Sequence, residues 1–300
     1  ASFLHIFTET CMQKGGFFVH KMRIIAPVIL LLTILSFPLI LHFNRTKKEY
    51  AVYVNEIETG NSIMVNGNMV YRWGLKRNKD GKPPEVGTKE VTMLHKYGGK
   101  YIGDTSEKKI YLTFDEGYEQ GYTEKILNVL RDNDVKAVFF VTGPYLDKNP
   151  ELIRRMVEEG HEVGNHTVNH YSLPTKSATI VEKEILELDR VFYEKYGKHM
   201  RMLRPPRGEY DEKTLKIAKD LNHTCILWSF AYRDWLVDKQ KGADHAYKMI
   251  MDHVHNGAVL LLHAVSKDNA DALDRVIKDI KQQGYTFGTP DELMNVSVGR

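Results

Sequence analysis

Cysteine is nearly absent from this chain: two residues in 300, Cys11 and Cys225. With no Cys-x-x-Cys pair, zinc ribbons, zinc fingers and redox dithiols are excluded, and so is a disulfide-stapled scaffold. Cys225 lies in the apolar run "TCILWSF" and reads as a buried thiol. A strong charge of one sign is also lacking. The formal net charge is +3, and the bases do not gather on one helix. That excludes a dedicated nucleic-acid binder while suiting work near an anionic polymer or a membrane surface. No internal repeat occurs, so a repeat array is excluded too.

One long uncharged run is present, Ile24 to Phe43, "IIAPVILLLTILSFPLILHF", long enough to span a bilayer. Lys21 and Arg23 precede it, and Arg45, Lys47 and Lys48 follow. Such a segment is an export signal or a signal anchor. No small-x-small cleavage site follows, so an uncleaved anchor is expected, with the rest of the protein outside the cytoplasmic membrane. Met22 opens this signal, and residues 1–21 read as sequence upstream of the protein proper. Residues 22–45 are then the signal peptide or anchor. Residues 46–107 are polar and rich in Gly and Lys, with turn signals at Asp80-Gly81 and Pro83-Pro84. They are expected to form an extended arm, held against the main domain by Tyr71, Trp73 and Leu75. The main domain is expected over 108–300.

From Lys109 the pattern alternates strand and helix. Strands are predicted at Ile110–Phe114, Val135–Thr142, His161–Gly164, Met202–Arg204, Thr224–Ser229, Ala258–His263 and Tyr285–Phe287. Helices are predicted between them, among them one from Asn149-Pro150 to Gly160 and one from about Ser177 to Tyr196. Repeated β-then-α units imply a parallel sheet, open or closed into a barrel. In such a fold the strand ends share one face, where sites are built. Five strand ends deliver polar residues there: Asp115 and Glu116, His166 and His170, Arg204, Asp234, and His263. Within "HTVNH" the two histidines stand four apart, so a helical turn would put both imidazoles on one side. Two histidines with one carboxylate leave positions open for water on a divalent metal. Each residue also has an ordinary structural explanation: a solvated turn for Asp115-Glu116, a surface arginine before Pro205-Pro206, a core histidine after "VLLL", a helix cap at Asp234-Trp235.

"TFDEG", "HTVNH", "RPPRG", "DW" and "LLLH" follow the order and spacing of the polysaccharide deacetylases with a NodB-type domain (carbohydrate esterase family 4), a resemblance covering about residues 108–295. The stretches "WGLKRNKDGKPP", "FDEGYEQGYT" and "LLHAVSKDNADALD" look more narrowly like the delta-lactam-biosynthetic de-N-acetylases, which act on N-acetylmuramic acid of peptidoglycan. The resemblance implies an α/β fold, an irregular (β/α) barrel of fewer than eight strands. It implies a divalent metal, zinc for preference, on Glu116, His166 and His170. Asp115 would be the catalytic base and Arg204 its partner. His263 would be the general acid, oriented by Asp234. The backbone N–H of Arg207 would donate to the oxyanion, and Leu261 would line the acetyl pocket. Beside the resemblance, Trp235 is a candidate substrate contact, and Arg77, with Arg207, a candidate for binding the muramic carboxylate. Glu116 stands where the family's usual ligand is aspartate, one methylene shorter. Arg207 stands where many relatives have tyrosine, and an arginine there suits a substrate bearing a carboxylate.

The implied activity is metal-assisted hydrolysis of the N-acetyl group of muramic acid, leading to the delta-lactam of spore cortex-type walls. The implied enzyme is a monomer acting on glycan strands, with an N-acetylmuramoyl-L-alanine amidase acting before it. Deacetylation of N-acetylglucosamine and a non-catalytic wall-binding module stand as alternatives. A glycosidase using Asp115 and Glu116 as its acid pair is disfavoured, because neighbours on a strand point to opposite faces.

Overall fold

The computed structural model describes residues 62–65 and 68–296. The signal or anchor segment and residues 1–21 lie outside the described residues, as does Cys11. Among the described residues no helix is long and apolar enough to cross a membrane. The arm contains more structure than the extended segment expected of it. Strand β1 (Ile63–Val65) pairs with β2 (Asn68–Arg72), β3 (Leu75–Lys76) pairs with β4 (Glu85–Val86), and helix α1 (Thr88–Lys96) follows.

The main sheet is parallel throughout and curves as a half-barrel. Its strands are β5 (Lys109–Glu116), β6 (Ala137–Val141), β7 (Glu162–Asn165), β8 (Met202–Leu203), β10 (Thr224–Cys225), β11 (Ala258–His263) and β12 (Thr286–Phe287). They are ordered β10-β8-β7-β6-β5-β11, with β12 beside the start of β5. The predicted strand Thr224–Ser229 is cut short at Cys225. Beyond it the chain makes only isolated bridges, Ile226 to Lys100 and Phe230 to Leu260, which carry it toward β11. Helices α2 (Thr123–Asp132), α3 (Gly143–Lys148), α4 (Pro150–Glu158), α5 (Ala178–Tyr196), α6 (Glu212–Asp220), α7 (Ala243–Met251) and α8 (Lys267–Gln282) connect the strands, and α9 (Pro290–Asn295) ends the described chain.

β5 is buried along nearly its whole length, as a central parallel strand must be. Ile110, Leu112 and Phe114 pack with Ile126 and Leu130 of α2 and Ile277 of α8, which makes theirs the helix-facing side. Tyr111 packs instead with Val138, Phe140, Met202 and Val259, the inner side. Strand alternation assigns Asp115 to the inner set and Glu116 to the helix-facing set.

The arm is built into this domain. β2 pairs with β9 (Glu209–Tyr210), placing Tyr71 opposite Tyr210. Trp73 is buried; its backbone N–H donates to Gly208 O at 2.9 Å and its indole N–H to Trp228 O at 2.9 Å. Gly208 has φ 65°, and a Cβ there would stand 2.8 Å from the Trp228 ring, so only glycine fits. Trp73→Phe should leave the Trp228 carbonyl without its donor and cost about 1–3 kcal/mol of stability, read from urea melts. An unchanged midpoint would show that the indole bond contributes nothing.

Candidate active site

The inner mouth of the half-barrel holds a buried ion pair. Arg204, fully buried, donates from Nη1 to Asp115 Oδ1 at 2.8 Å. Its other nitrogens donate to Ile226 O at 3.1 Å and Leu227 O at 3.4 Å, and its guanidinium lies 4.1 Å from the centre of the Phe140 ring. Burial alone would raise the Asp115 pKa. The charge of Arg204, followed by those of His166 and His263, holds it below the ordinary aspartate value, so the carboxylate stays ionised.

His166 and His170 come from the segment after β7, and the helical turn predicted for "HTVNH" does not form. The chain turns through left-handed residues, Thr167 (φ 67°) and His170 (φ 55°). Side chains hold this conformation. Asn165 Oδ1 accepts from Thr167 N at 2.9 Å, Thr167 Oγ1 from His170 N at 3.0 Å, and Glu184 Oε2 from Asn169 N at 2.7 Å. The imidazole centroids end 4.8 Å apart. His166 Nδ1 lies 2.7 Å from Arg204 O, to which it donates, leaving Nε2 as an acceptor 3.5 Å from Asp115 Oδ2. Burial lowers the pKa of both rings; with the neighbouring His166 and Arg207 it takes His170 to about 3.

His263 ends β11 and is the register partner of Asp115 on β5. Its Nδ1 lies 2.7 Å from Asp234 Oδ1, and its backbone N–H donates to Asp234 Oδ2 at 2.8 Å. Burial would lower the His263 pKa, but the Asp234 charge and hydrogen bond overcome it, and the net shift is upward. Trp235 packs on the His263 ring at 5.2 Å between centroids. Leu261, two residues back along β11, is buried among Trp228, Tyr210 and Trp73. Arg207 is exposed with φ 62°, and its charge reaches His170. Arg77 donates to Ala231 O at 3.4 Å, three residues before Asp234. Asn269 was not anticipated: it is buried and donates to Asp234 Oδ2 at 2.6 Å. An amide in the first turn of the helix after a histidine-bearing strand end is the signal that could have found it.

Glu116 is the correction. It is fully buried, and neither side-chain oxygen has a hydrogen-bond partner among the described residues. The groups acting on it are Glu119, Asp115 and Tyr145, not the two histidines. The cause is the alternation of β5, which turns Glu116 to the helix-facing side. Burial first, then Glu119 and Asp115, raise its pKa well above the ordinary value. A carboxyl whose folded pKa exceeds its unfolded one loses the folded state stability as pH rises from the unfolded value toward the folded one. Glu116→Gln should therefore become progressively more stable than the natural protein as pH rises above the ordinary glutamate range. Urea melts at several pH values test this; parallel pH dependences would contradict it.

The expected zinc set of Glu116, His166 and His170 accordingly does not converge. Two neutral imidazoles face the mouth, but the third ligand points elsewhere, and among the described residues no three His, Cys, Asp or Glu side chains are arranged to share a metal ion.

Comparison with known proteins identifies the family. The polysaccharide deacetylase family model matches residues 102–226. The chain is 45% identical over 228 residues to the peptidoglycan-N-acetylmuramic acid deacetylase PdaA of Bacillus subtilis (strain 168), covering 76% of this chain and 87% of that protein. The solved structure of Bacillus subtilis PdaA, a family 4 carbohydrate esterase, matches with a TM-score of 0.73, covering 75% of this chain and 97% of that one. A peptidoglycan-N-acetylglucosamine deacetylase of Bacillus cereus is 35% identical over 196 residues, 63% of this chain and 89% of that protein.

Proposed function

Because this chain belongs to the polysaccharide deacetylase family, whose members are amide hydrolases, we propose that it removes the N-acetyl group of N-acetylmuramic acid in peptidoglycan. The observation that carries this reading is the pairing of Asp115 with His263 across β5 and β11. An ionised carboxylate and an imidazole with a raised pKa thus stand side by side at one mouth.

Asp115 is the base. Arg204 occupies Oδ1, leaving Oδ2 to take a proton from the attacking water. His263, held by Asp234 with Nδ1–H directed at the carboxylate, presents Nε2 to the departing amine and protonates it. The backbone N–H of Arg207 donates to the oxyanion of the tetrahedral intermediate, Leu261 lines the acetyl group, and Trp235 and Arg77 border the sugar. Family deacetylases generally depend on a metal. Since Glu116 does not join His166 and His170, none of these steps is routed through a metal.

Muramic acid is favoured over N-acetylglucosamine by Arg207, whose guanidinium suits the lactyl carboxylate. The name of the 45%-identical relative supports the same substrate. Once an amidase has removed the stem peptide, the freed amine and the lactyl carboxyl can close as the muramic delta-lactam of cortex-type walls. The hydrophobic run Ile24 to Phe43 supports action outside the cytoplasmic membrane. Arg207→Tyr keeps the backbone donor and removes the charge, so it should lower the preference for muramic acid over N-acetylglucosamine units. A charged contact of about 1.5–3 kcal/mol is large enough to read in a competition assay on mixed glycans. An unchanged ratio of rates would remove Arg207 from substrate recognition, and a preference for N-acetylglucosamine in the natural protein would replace the substrate.

A further inference from the structure

We propose that Asn269 is a positioning residue for catalysis, acting through Asp234 to hold His263 in the tautomer and orientation that protonate the leaving amine. This rests on the reading of His263 as the acid. Asp234 is buried, and its carboxylate is satisfied by three donors. His263 Nδ1–H binds Oδ1, while His263 backbone N–H and Asn269 Nδ2 bind Oδ2. The Asn269 bond is the shortest of the three, 2.6 Å. It is also the only one of these donors that belongs to neither Asp234 nor His263, so it ties the pair to the body of α8.

The orientation of the Asn269 amide is fixed by its surroundings. Oδ1 accepts from the Tyr232 hydroxyl, which leaves Nδ2 to face Asp234. The Asn269 backbone N–H donates to Ser266 Oγ at 3.2 Å in the first turn of α8. An aspartate could not replace this donor, and a hydrophobic residue would leave Oδ2 short of a bond that burial makes costly. Released from Asn269, the carboxylate can turn about its Cβ–Cγ bond and carry the imidazole with it.

The test uses the full-length chain with histidine-selective nitrogen-15 labelling, comparing Asn269→Ala and the milder Tyr232→Phe, which removes only the hydroxyl that orients the amide. Asn269→Ala should lower kcat for acetate release roughly tenfold, the fold-change of one lost hydrogen bond to a charged group, with KM within about twofold. The His263 Nδ1–H resonance should move upfield and exchange faster with water. Tyr232→Phe should change both readouts in the same direction by less. A folded Asn269→Ala protein with wild-type kcat and an unmoved resonance overturns the proposal; if that variant does not fold, an unmoved resonance and kcat in Tyr232→Phe do so. A His263→Gln control separates the two levels. Near-normal turnover there removes His263 as the acid and the catalytic part of the proposal with it. An inactive control beside a fully active Asn269→Ala overturns Asn269 alone.

Discussion

Asp115→Asn should reduce acetate release by about 10²-fold or more, the contribution of a positioned general base. An amide at this position still fills the space beside Arg204 but cannot accept the proton of the attacking water. The loss should fall on kcat, because Asp115 is assigned to the reacting water rather than to sugar binding. The substitution has a second consequence. Arg204 is fully buried, and Asp115 is the carboxylate paired with it. Removing one charge of a buried pair typically costs about 3–5 kcal/mol, softened here by the Ile226 and Leu227 carbonyls and the Phe140 ring, which still hold the guanidinium. Rates should therefore be measured well below the variant's melting temperature. A folded Asp115→Asn protein with near-normal turnover would strike Asp115 from the mechanism.

His263→Gln should produce a comparable loss, about 10²-fold, with a different signature. Glutamine keeps a donor near Asp234 but has no proton to give the leaving amine. In the natural protein the Asp234 charge keeps the His263 pKa above the ordinary imidazole value, against the effect of burial. Asp115 is held below the ordinary aspartate value. Activity needs Asp115 ionised and His263 protonated. The rate should rise as pH passes the lowered aspartate value and fall only above the ordinary histidine range. The alkaline limb should vanish from the residual rate of His263→Gln and persist in that of Asp115→Asn. An alkaline limb left in place in His263→Gln would assign it to another group.

The strand ends were legible because parallel βα units have one geometry. Once "KIYLTF" reads as a buried strand, its last residues must reach the face where His263 and Arg204 also arrive. The same pattern bears on Glu116. The alternation that disqualifies Asp115 and Glu116 as a glycosidase pair also separates Glu116 from an inner-face metal site, and the resemblance outweighed it. The "HTVNH" spacing suggested a helical turn, whereas the pairing of the rings depends on left-handed Thr167 and His170, held by side chains of Asn165 and Glu184. No periodicity announces such a turn. The arm reads as extended because its strands are two to five residues long, too short for alternation to register, and its anchors are distant in sequence: β2 pairs with β9, and the Trp73 indole bonds to a carbonyl 155 positions away. Asn269 was hidden for the same reason: its partner Asp234 lies 35 positions upstream.

The most direct test of amide hydrolysis at the Asp115–His263 mouth measures two products from one digestion of purified peptidoglycan: free acetate and new reducing ends. Acetate should accumulate in step with free amines on muramic residues, with no new reducing ends, and both should disappear together in Asp115→Asn. New reducing ends without acetate would identify a glycosidase. Neither product, from a protein that still sediments with the wall, would identify a binding module and contradict the account.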